Sequence, residues 1–154
     1  MSGPHHILLV EDNTGDAILF KRALKRANED IAVTVAPSAE AALRILDEGP
    51  GPAAFSLAVC DINLPGISGI ELLRRIRSDD GTRSLPVLML SSSRNEDEIA
   101  RCYDAFASGY IAKPLSGEGY DRMASCFTSC WLEMMELPDA DAVARNRSVG
   151  VPLS

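Results

Sequence analysis

Basic residues are the minority in this chain. Its 154 residues carry 15 Lys and Arg against 22 Asp and Glu, a formal net charge of −7. No Lys/Arg cluster is long enough to follow a phosphate backbone, which argues against direct nucleic-acid binding. Histidine is scarce: His5 and His6 stand side by side near the start, and no chemistry is assigned to them. The four cysteines, Cys60, Cys102, Cys126 and Cys130, lie inside apolar patterns without Cys-x-x-Cys spacing. Cys126 and Cys130 would share a helix face, yet reduced, buried thiols are the default reading and a zinc site is not expected. No apolar run approaches the ~20 residues that span a bilayer. The opening "MSGPHHILLVED" lacks the basic flank and long apolar run of a secretory signal. There is no Walker A loop and no complete Gly-x-Gly-x-x-Gly pattern, so nucleotide binding has no support. These absences lead to the expectation of a soluble, cytoplasmic protein with neither a membrane nor a nucleic acid as partner.

What is present is alternation. "HILLV" (His6–Val10) is a continuous apolar run, followed by "NTGDAILFKRALKRAN" with polar start signals and a 3.6-residue apolar period. "IAVTVA" (Ile31–Ala36) is β-rich, and Ser38 offers an N-cap to the helix "AEAALRILDE", which "GPGP" then stops. "FSLAVC" (Phe55–Cys60) precedes a helix in "SGIELLRRIRS". "PVLMLS" (Pro86–Ser91) precedes one with Ile99, Cys102, Tyr103 and Phe106 on one side. "GYIA" (Gly109–Ala112) is a short fifth strand, and a long last helix runs from about Gly117 to Glu136. Five strands alternating with five helices imply an α/β domain, a doubly wound parallel sheet covered on both faces. Strands one, three and four are apolar throughout and should be central; the other two suit edges. One domain is expected over residues 1–137, with a flexible tail over 138–154.

In such a sheet, ligands bind beyond the carboxyl ends of the strands, where the strand order reverses. With order 2-1-3-4-5 that point lies between strands one and three. Strand one ends in Val10 and then "EDN"; strand three ends in Cys60 and then "DIN". Glu11, Asp12 and Asp61 would then face each other across one crevice, with Ser91 and Lys113 arriving at the same edge. Like charges about 4 Å apart repel by roughly 4 kcal/mol at an effective dielectric of 20. Such a cluster needs a cation or must hold a proton. Oxygen-only donors with room for water favour Mg²⁺ over zinc.

At these residues the chain resembles the receiver domain of two-component response regulators. The matching pieces are "LLVEDN", "LAVCDINLPGISGIELLRRIR", "LPVLMLSSS" and "YIAKP", in order, over residues 7–136. The "EDNTGD" opening, the "LSSS" run and "CYDAFASGYIAKP" resemble the single-domain regulators that serve phytochrome-type histidine kinases. The resemblance implies a five-stranded fold of the flavodoxin and chemotaxis-regulator (CheY-like) type with an extended C-terminal helix. It implies that Asp61 accepts a phosphoryl group, that Glu11, Asp12, Asp61 and the Asn63 carbonyl hold Mg²⁺, and that Lys113 pairs with Asp61. Ser91 would reach the phosphoryl oxygens and Tyr110 would swing with it as the switch. Ser92 and Ser93 would line the rim, and the Lys113–Pro114 bond would be cis.

Two surfaces look open to partners. Ile18, Leu19 and Phe20 follow one another, and one narrow helix face cannot bury all three. The last helix carries Tyr120, Met123, Phe127, Cys130, Trp131 and Met134 on one stripe, with Leu132, Met135 and Leu137 outside it. A homodimer through this helix is expected. The implied partners are a sensor histidine kinase, phytochrome-type by the finer resemblance, and a histidine phosphotransfer protein. Too little chain follows residue 137 for a DNA-binding module, so output would run through protein contacts. Two other classes stay in view. A Mg²⁺-dependent phosphatase of the haloacid-dehalogenase type would need a second acid where Asn63 stands, and an amide cannot act as a general acid. A non-phosphorylated scaffold would have a damaged acid pocket, and this one is complete. The chain thus reads as a phosphoacceptor rather than an enzyme, beyond its own phosphorylation and dephosphorylation.

Overall fold

The computed structural model describes residues 5–49, 51–130, 142–143 and 145–146. Five parallel strands run β1 (His6–Val10), β2 (Ala32–Ala36), β3 (Leu57–Asp61), β4 (Val87–Ser91) and β5 (Gly109–Ala112), in sheet order β2-β1-β3-β4-β5. The helices α1 (Thr14–Ala27), α2 (Ala39–Asp47), α3 (Gly69–Ser78) and α4 (Glu96–Asp104) connect them in turn, and α5 (Gly117–Phe127) follows β5. This is the doubly wound, CheY-like order expected from the strand patterns. The inner strands β3 and β4 are buried at every residue, while β5 is half-buried and β2 mostly so, as befits edges.

Each helix begins on a polar cap. The side chains of Asn13, Ser38, Ser68, Asn95 and Ser116 each accept from a backbone N–H in the first turn that follows. Such caps satisfy donors that the helix itself leaves unpaired, at roughly 1 kcal/mol each. Two apolar layers sandwich the sheet. One joins Ile7, Leu9, Val59 and Leu88 to Phe20 of α1 and Tyr120 and Phe127 of α5. Phe20 meets Phe127 edge-on at 6.4 Å between ring centres. The other joins Leu8, Cys60 and Met89 to Leu46, Leu73, Ile76 and Cys102 of α2, α3 and α4.

Several expectations change. β3 starts at Leu57 rather than Phe55 and includes Asp61, because Ile62 N–H still donates to the Leu90 carbonyl. On α4 only Cys102 is fully buried; Tyr103 and Phe106 are exposed. Phe106 lies past the helix end at φ 67°, where the chain turns away to enter β5. Its N–H donates to the Tyr103 carbonyl and Ala107 N–H to the Cys102 carbonyl, a Schellman closure in which a left-handed residue reverses the chain. Cys60 and Cys102 are buried, but Cys126 and Cys130 are exposed free thiols, because the buried face of α5 passes through Tyr120, Ala124 and Phe127. Among the described residues no peptide bond is cis, so Lys113–Pro114 is trans, the isomer favoured by about 0.5–1 kcal/mol before proline. No described helix is long and apolar enough to cross a membrane. Of the last-helix stripe, Tyr120 and Phe127 are buried in the domain core, while Trp131, Met134 and the flanking Leu132, Met135 and Leu137, with most of the tail, lie outside the described residues.

Candidate functional site

The carboxyl ends of β1 and β3 bring Glu11, Asp12 and Asp61 together. Each offers a carboxylate oxygen, all within 4.8 Å of one another. Glu11 and Asp61 are buried and Asp12 is exposed, so the cluster opens to water on one side. Lys113, just past β5, reaches across to neutralise it. Its Nζ lies 2.6 Å from Glu11 Oε1, 3.0 Å from Asp61 Oδ2 and 3.0 Å from Asp16 Oδ2. Asp61 Oδ1 accepts from the Asn63 N–H at 3.1 Å. Glu11 Oε2 accepts from the Asn13 N–H at 3.3 Å.

The charges leave their mark on the titrations. Burial first, then the hydrogen bond to Asp61, pushes the Glu11 carboxyl up to about 7, although Lys113 pulls it down. Burial disfavours the Lys113 ammonium, but hydrogen bonds to Glu11, Asp16 and Asp61 outweigh it and hold the proton well above the usual lysine range. The cluster is thus held together by Lys113, with the Glu11 carboxyl raised into the neutral range. A divalent cation fits this donor set: three oxygens close to one another, one open side for water, and a proton that an ion would displace.

Backbone packing fixes Asp61 from below. Gly69 opens α3 directly against the end of β3. A Cβ there would lie inside van der Waals contact of the Asp61 carbonyl oxygen and 2.7 Å from Ile62 Cα. The Pro65-Gly66 turn above carries Gly66 at φ 74°, the left-handed position that a turn with proline before it gives to glycine. The Glu40 carboxylate closes that turn by accepting from Ile67 N–H at 3.3 Å.

Ser91 and Tyr110 meet on the other side, around a residue the sequence did not single out. Ser91 Oγ donates to Glu98 Oε1 at 2.7 Å. The Tyr110 hydroxyl is shared between Glu98 Oε1 at 2.8 Å and the Ser93 carbonyl at 2.6 Å. The structure thus gathers Glu11, Asp12, Asp61 and Lys113 in one pocket, and leaves Ser91 and Tyr110 beside it on Glu98. Asn63 is exposed and meets the pocket through its backbone. Asp16 and Glu98 are the additions. Asp16 sits in the first turn of α1, where an acid reads as complementing the helix dipole. Glu98 stands three residues after Asn95, the spacing of a capping box, so a pattern reading assigns it to its own helix.

This pocket can be set against known proteins. The response regulator receiver domain family matches residues 7–122. The chain belongs to this family. Among curated relatives, this receiver domain is 34% identical over 131 residues to the probable methanogenesis regulatory protein FilR2 of Methanothrix harundinacea, covering 84% of each chain. It is 31% identical over 143 residues to response regulator Rcp1 of Synechocystis, covering 89% of this chain and 95% of that one. The Mn²⁺-bound form of Rcp1 superposes with a TM-score of 0.79 at 30% identity, over 88% of this chain and 99% of that one. The phosphorylated cyanobacterial phytochrome response regulator RcpA gives 0.82 at 31%, with the same coverage.

Proposed function

We propose that this receiver domain is a phosphorylation-switched signalling protein that accepts a phosphoryl group on Asp61 from a phosphohistidine of a sensor histidine kinase of the phytochrome type. One observation carries the reading: a buried carboxylate at the end of β3, within 3.0 Å of an ammonium, in a cluster of acids that share oxygens within 4.8 Å. The similarity to Rcp1 and RcpA, one Mn²⁺-bound and the other a phosphorylated phytochrome regulator, supports the metal and the kinase class.

In the transfer, an Asp61 carboxylate oxygen forms a bond to phosphorus as the phosphorus–nitrogen bond of the donor breaks. The imidazole nitrogen leaves with the electron pair. Positioning and charge neutralisation dominate this chemistry. Glu11, Asp12, Asp61 and the Asn63 carbonyl would hold Mg²⁺, which when bound neutralises charge on the transferring oxygens. Lys113 keeps its proton and exchanges a carboxylate contact for a phosphoryl oxygen. Ser91 supplies a hydroxyl to the new group, and Tyr110 follows the space and hydrogen bond that Ser91 vacates.

The kinase-facing surface is read as α1. Phe20 is buried and Leu19 half-buried, which leaves Ile18 as the surplus apolar residue, 43% exposed beside Lys21, Arg22, Lys25 and Arg26. A histidine phosphotransfer protein, as a second donor or acceptor, would use the same face. A homodimer would form through the apolar residues Trp131, Leu132, Met134, Met135 and Leu137 that follow Cys130. The phosphatase reading loses ground because Asn63 offers its backbone N–H, not an acid, to Asp61.

The test is incorporation of phosphoryl groups from a small-molecule phosphodonor in the presence of Mg²⁺. Wild type is expected to gain one acid-stable, alkali-labile acyl phosphate and Asp61→Asn none. Equal incorporation into both would overturn the assignment.

A further inference from the structure

Glu98 has an arrangement its helix does not require. Asn95 caps α4 by accepting from the Asp97 and Glu98 N–H groups at 2.8 and 3.3 Å. In the usual reciprocal box, the acid three residues on would reach back to the cap residue's own N–H. Here that N–H is already taken, because Asn95 N–H donates to Ser93 Oγ at 3.0 Å. The Glu98 carboxylate is released from capping and turns inward instead. One oxygen, Oε1, takes the Ser91 hydroxyl and shares the Tyr110 hydroxyl's single proton with the Ser93 carbonyl, which lies closer at 2.6 Å. The single proton of Ser91 Oγ is committed to Glu98 in this state, and the oxygen accepts from Ser93 N–H at 3.1 Å. Burial raises the Tyr110 hydroxyl above its ordinary range, with the hydrogen bond to Ser91 lowering it and the one to Glu98 raising it again.

We infer that Glu98 is a positioning residue, a resting-state latch that binds the Ser91 and Tyr110 hydroxyls to one carboxylate oxygen and must release them before Ser91 can serve Asp61. The inference rests on Asp61 being the phosphoacceptor. A single shared acceptor makes the two residues move together: when Ser91 leaves, Tyr110 loses a partner that Ser91 had helped to orient. The released carboxylate has a second position ready, at the α4 N-terminus, where it can close the box with Asn95 once Ser93 lets go. Two discrete partner sets for one side chain are what a two-state element needs.

Removing the latch lowers the cost of reaching the switched state, so a ligand that selects that state binds more tightly. Beryllofluoride with Mg²⁺, a stand-in for the phosphoryl group on Asp61, is the probe, with binding read from the shift in thermal unfolding. Glu98→Ala is expected to bind it roughly tenfold more tightly than wild type, the size of a single charged hydrogen bond at the low end of its usual range no longer opposed. Glu98→Gln keeps the side-chain volume, is expected to shift the same way by less, and carries the test if the alanine variant does not fold. Asp97→Ala removes an exposed acid from the same first turn, outside the Ser91, Tyr110 and Asn95 contacts of Glu98, and is expected to leave the affinity unchanged. An unchanged or weakened affinity in the folded Glu98 variants, or equal tightening in Asp97→Ala, would overturn the latch alone. A wild type that does not respond, or an Asp61→Asn variant that responds equally, would overturn the acceptor assignment and the latch with it.

Discussion

The two halves of the sheet's carboxyl edge hold their ionisable groups in opposite ways. Between β1 and β3 one ammonium is surrounded by three carboxylates, at 2.6, 3.0 and 3.0 Å. Between β4 and β5 one carboxylate oxygen collects two neutral hydroxyls, at 2.7 and 2.8 Å. The distances are alike, but the energies are not. A unit charge pair at 3 Å attracts by about 5–6 kcal/mol at an effective dielectric of 20. A hydrogen bond to a charged group contributes about 1.5–3 kcal/mol net. In the first half the Coulomb attraction is offset by desolvation and by repulsion among the carboxylates, so that half answers to added charge, whereas the second, built on neutral donors, depends on it far less.

Removing the cation should break the first half most severely. Lys113→Ala leaves Glu11 and Asp61 buried without compensation, and breaking such a pairing costs about 3–5 kcal/mol. Because Asp12 opens the pocket to water, about 3 kcal/mol is expected in urea unfolding, with part of the loss regained on adding Mg²⁺. Next in size is Gly69→Ala. Its methyl group would press on the Asp61 carbonyl and Ile62, and overpacking of this kind costs about 1–3 kcal/mol. Equilibrium unfolding should show a loss near the upper end, because backbone rather than a flexible side chain must move.

The pH dependence sharpens the contrast. The folded Glu11 carboxyl titrates near 7 against an ordinary value of 4.5. Between those values the folded state binds more protons than the unfolded one, so stability falls as pH rises. The contribution is fully present below 4.5 and gone above about 7. Denaturation midpoints in chelator should show this decline, Glu11→Gln should flatten it, and Mg²⁺ should counter it at the alkaline end. The smallest effect belongs to the second half. Phe106 is exposed and left-handed at the end of α4, where glycine is free of the Cβ penalty. Phe106→Gly should raise stability by about 0.5–1 kcal/mol in the same assay, after allowing for glycine's greater unfolded-state entropy.

The sequence revealed the first half more fully than the second. Apolar strands of five or six residues located the carboxyl edge, and the charged residues just beyond Val10, Cys60 and Ala112 then fell into one crevice by topology alone. Asp16 escaped because an acid in a first helical turn has a sufficient local explanation. Glu98 escaped for a related reason: Asn95-x-x-Glu98 satisfies a capping pattern, and only the three-dimensional position of Ser93 Oγ reveals that the cap is served otherwise. Tyr103 and Phe106 were misplaced because periodicity marks an apolar face without marking where the helix stops. In each miss a local rule gave an adequate answer while a contact distant in sequence gave the actual one.

The pocket between β1 and β3 as a cation site poised on Asp61 is open to a direct measurement: thermal unfolding of wild type and Asp61→Asn across a magnesium titration at a pH above 7. Binding to the folded state alone raises the midpoint with ligand concentration. Wild type is expected to rise steadily into the millimolar range, and Asp61→Asn to begin from a more stable apo state and respond far less. Parallel titration curves for the two proteins, or no rise in wild type, would contradict it.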